Sequence, residues 1–163
     1  MTAGVQLYLL RHADAGDPAA WDGPDAARPL SPKGEQQSER LGRFLAGLAF
    51  RPDAILTSPK LRASQTAEIV ARHLGIAVAT DVRLGSHVSL ETVEAVLGDA
   101  GNPGRAVLVG HDPDFSDLVE ALTGSGNVPM KKGALARIDA DRPLAGGNGQ
   151  LRWLVPPDLL RPA

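Results

Sequence analysis

The chain contains no cysteine, no long hydrophobic run and no large excess of charge of either sign. The absence of cysteine excludes disulfides, thiol catalysis and thiolate metal sites. A formal net charge of -2 excludes a strongly basic surface of the kind that holds nucleic acid through its phosphates. No basic n-region and no apolar stretch long enough for a signal or a bilayer span is found. We therefore expect a cytoplasmic protein that binds neither nucleic acid nor a membrane, and we expect a monomer.

The composition that remains is that of an ordinary globular protein. Hydrophobic residues make up 43% of the 163 residues and charged residues make up 22%. This length and balance fit one compact domain with a sizeable core better than two domains. We expect a single domain over residues 1–163.

Apolar runs of strand length alternate with stretches of helical spacing along most of the chain. This alternation is typical of an α/β protein whose sheet is covered by helices on both faces. We therefore expect a three-layer α/β/α sandwich with a mostly parallel central sheet. The predicted strands lie near residues 5–10, 53–57, 76–80, 105–109, 134–139 and 150–155.

Four helices are predicted between these strands from the spacing of apolar residues. N-cap residues and prolines mark the starts of the helices, and glycines mark two of their ends. The signals, in chain order, are Ser31 with Pro32, then Ser58-Pro59 with Gly75, then residues 89–100, and finally Pro113 with Gly124.

Two of the predicted strands end in a histidine. The apolar run 5–10 is followed by Arg11 and His12, and the run 106–109 is followed by Gly110 and His111. In open α/β sheets, ligands bind at the carboxyl edge because the loops that leave the strands converge there. The two imidazoles therefore indicate an active site at that edge.

The residue types near this edge favour phosphoryl transfer. A phosphoryl group carries up to two negative charges, and arginine can bind two of its oxygens at once. Arg11 and Arg62 would supply the positive charges that bind the phosphoryl oxygens. Arg62 would lie in the first turn of the helix that Pro59 begins. The guanidinium groups should also lower the pKa of His12 and keep its ring neutral, as a nitrogen nucleophile requires.

The segment that follows His12 is rich in Asp, Gly, Pro and Ala and is predicted to be a long ordered loop. Such loops are usually functional in compact domains. Its acidic residues are interpreted as a solvated surface, and Arg28 either approaches the pocket as a substrate-binding residue or anchors the loop to Asp22 or Asp25. The acidic residues concerned are Asp14, Asp17, Asp22 and Asp25.

Four segments in order resemble the histidine phosphatase superfamily, which has the phosphoglycerate mutase-like fold. They are Leu9-Leu10-Arg11-His12-Ala13, Arg28-Pro29-Leu30-Ser31-Pro32-Lys33-Gly34, Thr57-Ser58-Pro59-Lys60-Leu61-Arg62-Ala63-Ser64-Gln65-Thr66 and Val109-Gly110-His111. The small size and the Arg-Pro-Leu-Ser segment are most similar to phosphohistidine phosphatases of the SixA type. One departure is Ala13, where the superfamily usually has glycine.

The resemblance implies a metal-independent and cofactor-independent phosphatase. His12 would be the nucleophile, and Arg11, Arg62 and His111 would bind the phosphoryl oxygens. No general acid can be identified by motif, and the candidates by position are Glu91, His87, Asp14 and Asp17. The lack of an identifiable general acid favours phosphohistidine substrates, because a protonated imidazole leaves more readily than an alkoxide. A phosphohistidine-bearing signalling protein is therefore the expected substrate.

Three alternatives stay open at this point. The protein could hydrolyse small phosphorylated metabolites or nucleotides, or it could bind phosphoproteins without turnover. Retention of His12 argues against a pure binding module, which needs no nucleophile. A histidine-ligated metalloenzyme is disfavoured because Arg11 would repel a cation next to His12.

Overall fold

A computed structural model describes residues 4–162 and contains one six-stranded sheet. The strands are β1 (Gly4–Arg11), β2 (Ala54–Thr57), β3 (Val78–Thr80), β4 (Arg105–Gly110), β5 (Leu135–Asp141) and β6 (Gly149–Val155). Their order across the sheet is β3-β2-β4-β1-β5-β6. The first four of these are parallel to one another, whereas β5 and β6 pair antiparallel at one edge. The prediction of a mostly parallel sheet is confirmed.

Four α-helices pack on this sheet within the described residues. They are α1 (Pro32–Gly47), α2 (Leu61–Leu74), α3 (Leu90–Asp99) and α4 (Asp114–Thr123). Short 3₁₀ turns lie at Pro18–Ala20, Asp25–Ala27, Val82–Gly85 and Pro157–Leu160. No helix of residues 4–162 is both long and apolar enough to cross a membrane.

The alternation of side chains along β1 produces the three layers. Leu7 and Leu9 are buried in a cluster that contains residues of α3 and α4. Tyr8 and Leu10 point to the opposite face and are buried with residues of α1 and α2. Because successive strand residues face opposite sides of a sheet, one strand supplies both cores. The predicted α/β/α sandwich is therefore confirmed.

Two helix starts differ from the sequence prediction. The helix expected from Pro59 begins at Leu61, and the helix expected from Pro113 begins at Asp114, with Pro113 as its N-cap. The Ser58 hydroxyl accepts the Lys60 N–H at 3.2 Å, so the chain turns before the first helical residue. The other signals hold: the Ser31 side chain caps α1 by accepting from Gly34 N–H.

Candidate active site

The two histidines predicted at strand ends lie side by side. β1 and β4 are parallel neighbours, and their register pairs Arg11 with Gly110. The His12 N–H continues this pairing and donates to the Gly110 carbonyl oxygen at 2.9 Å. The ring centroids of His12 and His111 are consequently 5.3 Å apart. Both residues are buried, with 5% and 7% of their surface exposed.

The contacts of His12 determine which ring nitrogen is available. Its Nδ1 atom lies 2.7 Å from the carbonyl oxygen of Ala13, which can only accept a hydrogen bond. The ring hydrogen is therefore on Nδ1, and the lone pair is on Nε2. Among the described residues, no group hydrogen-bonds this Nε2 atom. The arrangement presents an unprotonated nitrogen at the sheet edge.

Burial is the main reason why the His12 ring is neutral. The pKa of His12 is lowered to about 4, with burial as the largest cause; the hydrogen bond to Ala13 opposes the shift, and the charges of Arg62 and Arg11 reinforce it. The sequence predicted the direction of this shift but assigned it to the guanidinium groups alone. The structure shows that desolvation contributes more than either arginine.

His111 is also neutral, and one of its nitrogens has no partner. Its pKa is lowered to about 3, chiefly by burial and then by the neighbouring His12, Lys60 and Arg62, whereas Asp25 opposes the shift. The Nε2 atom lies 2.7 Å from the hydroxyl oxygen of Ser58, whereas the Nδ1 atom is buried without a hydrogen-bond partner.

The two arginines are held by their terminal nitrogens. Arg11 donates from Nη1 to the Met130 carbonyl oxygen at 2.9 Å. Arg62 donates from Nη1 to the Asp25 carbonyl oxygen at 2.9 Å and from Nη2 to the Asp25 carboxylate at 3.0 Å. In both arginines the Nε atom is buried and has no partner.

Three unpartnered polar atoms therefore belong to the four residues that the sequence singled out. Within residues 4–162, the buried side-chain nitrogens or oxygens without a partner are Arg11 Nε, Arg62 Nε and His111 Nδ1. Buried polar groups are nearly always hydrogen-bonded, so such orphans call for an explanation. Nitrogen donors around a neutral imidazole are suited to binding the oxygens of a tetrahedral anion.

Asp25 lies in the exposed loop that the sequence predicted, and its carboxylate also contacts two arginines. Its carboxylate binds Arg62 at 3.0 Å and Arg28 at 3.4 Å. Burial would raise the pKa of Asp25, but the hydrogen bonds and charges of these two arginines outweigh it and lower the pKa. Arg28 is itself buried and donates to the Ala15 carbonyl oxygen at 2.7 Å, so its contacts are those of a loop anchor.

None of the four general-acid candidates hydrogen-bonds to either site histidine within the described residues. Asp14 accepts a hydrogen bond from the Ser31 hydroxyl, which lowers the pKa of Asp14 and keeps it ionised. Asp17 is exposed and caps the turn at residues 18–20. His87 and Glu91 are exposed, and His87 has a positive φ of 55°. The structure brings none of them into the group formed by His12 and His111.

Ser58 is a residue next to the site histidines that the sequence interpretation missed. It was treated only as the start of a helix, although it lies between the strand end at Thr57 and the helix that carries Arg62. Its place in segment 57–66, which resembles the superfamily, could have drawn attention to it. The sequence alone does not show that its hydroxyl reaches His111.

A concave region of the surface lies away from the two histidines. A cleft of about 1010 Å³ runs between α1 and α2 and is lined by Glu35, Arg40, Arg72 and other residues of the two helices. It contains neither imidazole. Among residues 4–162, no three side chains of His, Asp or Glu come together in a way that could hold a metal ion.

The model of the histidine phosphatase superfamily (branch 1) matches residues 7–86. The phosphohistidine phosphatase SixA of Escherichia coli (strain K12) is 31% identical over 164 residues, which cover 98% of each chain. The chain belongs to the histidine phosphatase superfamily. An uncharacterised protein of Picosynechococcus is 36% identical over 167 residues, covering 97% of this chain and all of that one. These findings support phosphatase activity.

Solved structures agree with this membership. The protein histidine phosphatase SixA complexed with tungstate superposes with a TM-score of 0.83 and 26% sequence identity, covering 96% of this chain and all of the other. The phosphoglycerate mutase-like fold predicted from the sequence is therefore confirmed. In this fold, Ala13 is accommodated without exposed surface in a small cluster with Leu30 and Ile69, so the added methyl group is buried rather than placed in the pocket.

Proposed function

We propose that the protein hydrolyses phosphoryl groups through a covalent phosphohistidine intermediate on His12, and that its substrate is a phosphohistidine side chain of a signalling protein. The observation that carries this proposal is the neutral His12 ring with an unprotonated Nε2, which lies 5.3 Å between ring centroids from His111 and is acted on by the charges of Arg11 and Arg62. The buried side-chain nitrogens that lack a partner within residues 4–162 belong to these three other residues. Full-length similarity to a phosphohistidine phosphatase supports the substrate class.

The first chemical step forms a bond between His12 Nε2 and phosphorus. The nitrogen lone pair attacks, the bond from phosphorus to the leaving group breaks, and the leaving group takes that electron pair. Positive charge then develops on the His12 ring, and the Ala13 carbonyl oxygen stabilises it through the Nδ1–H hydrogen bond. Arg11, Arg62 and His111 would hold the phosphoryl oxygens throughout, which is electrostatic stabilisation by preorganised donors.

The second step regenerates the free imidazole. A water oxygen attacks phosphorus, the bond between phosphorus and Nε2 breaks with its electron pair returning to the ring, and inorganic phosphate leaves. No step needs a metal ion or a cofactor. Because no carboxyl group of residues 4–162 hydrogen-bonds to either site histidine, a leaving imidazole that takes its proton from solvent suits this site better than an alkoxide.

The packing of α3 also supports a protein substrate. The segment after His87 could have formed a cap, but Ser89 starts α3 there. The apolar side of α3, including Val93 and Leu97, is buried in the core. This segment is therefore part of the sandwich and is not available to enclose a small metabolite.

Trapping the phosphoenzyme tests the proposal. The protein is mixed with a phosphoryl donor in the presence of a chelator and quenched in alkaline denaturant, because phosphoramidates hydrolyse in acid. Mass spectrometry should then locate the phosphoryl group on His12. We expect His12→Ala to lower kcat by at least about a thousandfold, whereas the control His87→Asn, at an exposed position, should retain activity.

Two results would overturn the proposal. One is a phosphoryl group on another residue of an active enzyme. The other is a rate of phosphate release from an aryl phosphate that does not exceed that of the His12→Ala variant, which would favour a binding module without turnover. Loss of activity in chelator would instead favour a metal-dependent reaction.

A further inference from the structure

The side chain of Ser58 is placed against His111 by the register of the sheet. The Ser58 N–H donates to the Val109 carbonyl oxygen at 2.9 Å, which extends the parallel pairing of β2 and β4 by one residue. Ser58 has no exposed surface, and its hydroxyl oxygen lies 2.7 Å from His111 Nε2. The contact is thus made by two rigid strand ends, which can hold it constant.

The hydrogen-bond capacity of this hydroxyl decides the direction of the contact. A serine hydroxyl has one hydrogen to donate and two lone pairs that accept. The Ser58 oxygen already accepts the Lys60 N–H at 3.2 Å. Since a buried hydroxyl hydrogen needs an acceptor, and the remaining partner of this oxygen among the described residues is His111 Nε2, the hydroxyl must donate to that nitrogen.

We infer that Ser58 is a positioning residue, which fixes the tautomer of His111 by donating its hydroxyl hydrogen to Nε2. The ring hydrogen of neutral His111 is then on Nδ1, the atom that is buried without a partner. This hydrogen is then a third unpartnered donor, in addition to the Nε–H groups of Arg11 and Arg62. The opposite tautomer would place a lone pair there, which would repel a phosphoryl oxygen.

The assignment of the tautomer stands on the resting structure alone, whereas its catalytic consequence rests on the proposed function. His12 and His111 then form a complementary pair. The Ala13 carbonyl oxygen leaves His12 with a free lone pair that can attack phosphorus, and the Ser58 hydroxyl leaves His111 with a free N–H that can bind oxygen.

Nitrogen-15 NMR of the histidine rings tests the inference directly. Long-range proton–nitrogen correlations distinguish a ring protonated on Nδ1 from one protonated on Nε2. At neutral pH, His111 of the wild-type protein should show the pattern of Nδ1 protonation, and Ser58→Ala should convert it to a mixture of the two tautomers. A wild-type ring protonated on Nε2, or a spectrum that Ser58→Ala leaves unchanged, would overturn the inference.

Measurements of kcat/KM distinguish a role of Ser58 through His111 from a purely structural role. We expect Ser58→Ala to lower kcat/KM by about tenfold in the wild-type background, but to have little further effect when His111 is already alanine. Ser38→Ala is the matched control, because the Ser38 hydroxyl is equally buried and donates to the Gly34 carbonyl oxygen instead of a histidine. Equal losses with and without His111 would overturn the catalytic consequence.

The two experiments separate this inference from the proposed function. If His111 has the inferred tautomer but no phosphoryl group is found on His12, the proposed mechanism fails and the tautomer assignment stands. If the phosphoryl group is found on His12 but His111 carries its hydrogen on Nε2, the inference about Ser58 fails alone.

Discussion

The reactivity proposed for His12 depends on where its ring lies rather than on arginine charge alone. Arginine at positions 11 and 62 would keep an imidazole neutral even at the surface, but only weakly, because water screens exposed charges. Burial against the sheet edge removes that water and disfavours the protonated ring directly. The same burial strengthens the attraction between the arginine donors and a bound anion.

A pH profile follows from this shift. Because the nucleophile must be deprotonated and the pKa of His12 is lowered to about 4, catalysis should persist well below pH 6.5. The acid limb of kcat/KM, corrected for the separately measured titration of the substrate, should have its midpoint near pH 4. An NMR titration of the His12 ring gives the same quantity without turnover. A peptide of residues 9–15 is the unstructured control, and coincidence of the two titrations would contradict the prediction.

The shift also makes stability depend on pH. The folded pKa of His12 lies below the unfolded value of 6.5, so the unfolded chain binds more protons between these values. The free energy of unfolding should therefore fall as the pH falls from 6.5 to 4, at about 1.4 kcal/mol per pH unit for each such group. His111, with its pKa lowered to about 3, adds to the same slope.

The sequence identified the residues of the site that carry unusual chemistry and missed those that orient them. Arg11, His12 and His111 stand out because charged residues directly after apolar strands have few structural explanations. Asp25 was named only as a possible partner of Arg28, and its contact with Arg62 was not predicted, because a carboxylate in a polar loop has the same neighbouring sequence whether it faces water or an arginine. Only the path of the loop decides this, and that path depends on long-range packing.

At the scale of secondary structure, helix α1 supports the loop that follows His12. Gly34 lies in the first turn of α1 and is buried against this loop. A Cβ atom at this position would overlap the Asp14 carbonyl oxygen. The same oxygen accepts the Ser31 N–H at 3.0 Å, so the helix start and the loop approach within backbone contact. This close approach explains why the segment Leu30-Ser31-Pro32-Lys33-Gly34 ends in glycine.

We expect Gly34→Ala to destabilise the protein by about 1–3 kcal/mol and to lower activity, because the new methyl group must displace Asp14, two residues after His12. Gly47→Ala is the matched control on the same helix. A Cβ atom there meets nothing within 4 Å, and alanine favours a helix by about 1 kcal/mol over glycine. Denaturant unfolding and kcat/KM measure both effects. The prediction is contradicted if the two variants behave alike.

The helix starts show where sequence patterns lose resolution. Proline marked the neighbourhood of α2 and α4 correctly, but it does not show whether it stands inside the helix or just before it. Before α2, the Ser58 hydroxyl accepts the Lys60 N–H and forms a turn, so Leu61 is the first helical residue. Apolar spacing predicts which residues face the core, whereas side-chain capping bonds decide the boundaries.

At the scale of the whole molecule, the sequence predicts the number of strands in the sheet but not their order. The strand-length runs indicated six strands, and the Gly-rich turn at residues 146–149 indicated a direct connection between the last two, but the sequence did not predict that β5 would pair antiparallel with β1. The position of the site was nevertheless predicted correctly, because it depends only on β1 and β4 being parallel neighbours. Local sequence patterns predict helices and strands, whereas the order of the strands in the sheet depends on packing over the whole chain.

Within residues 4–162, no carboxyl group hydrogen-bonds to either site histidine, and this predicts a rank order of substrates at the scale of the whole molecule. General acid catalysis is typically worth a factor of about 10² to 10⁴, so substrates whose leaving groups do not need it should be preferred. We expect a phosphohistidine protein and an aryl phosphate to be hydrolysed with kcat/KM at least about a hundredfold above that of a sugar phosphate. Steady-state assays with all three substrates measure this order. Efficient turnover of the sugar phosphate, with none of the phosphohistidine protein, would show that the pocket obtains its proton from a residue of the chain.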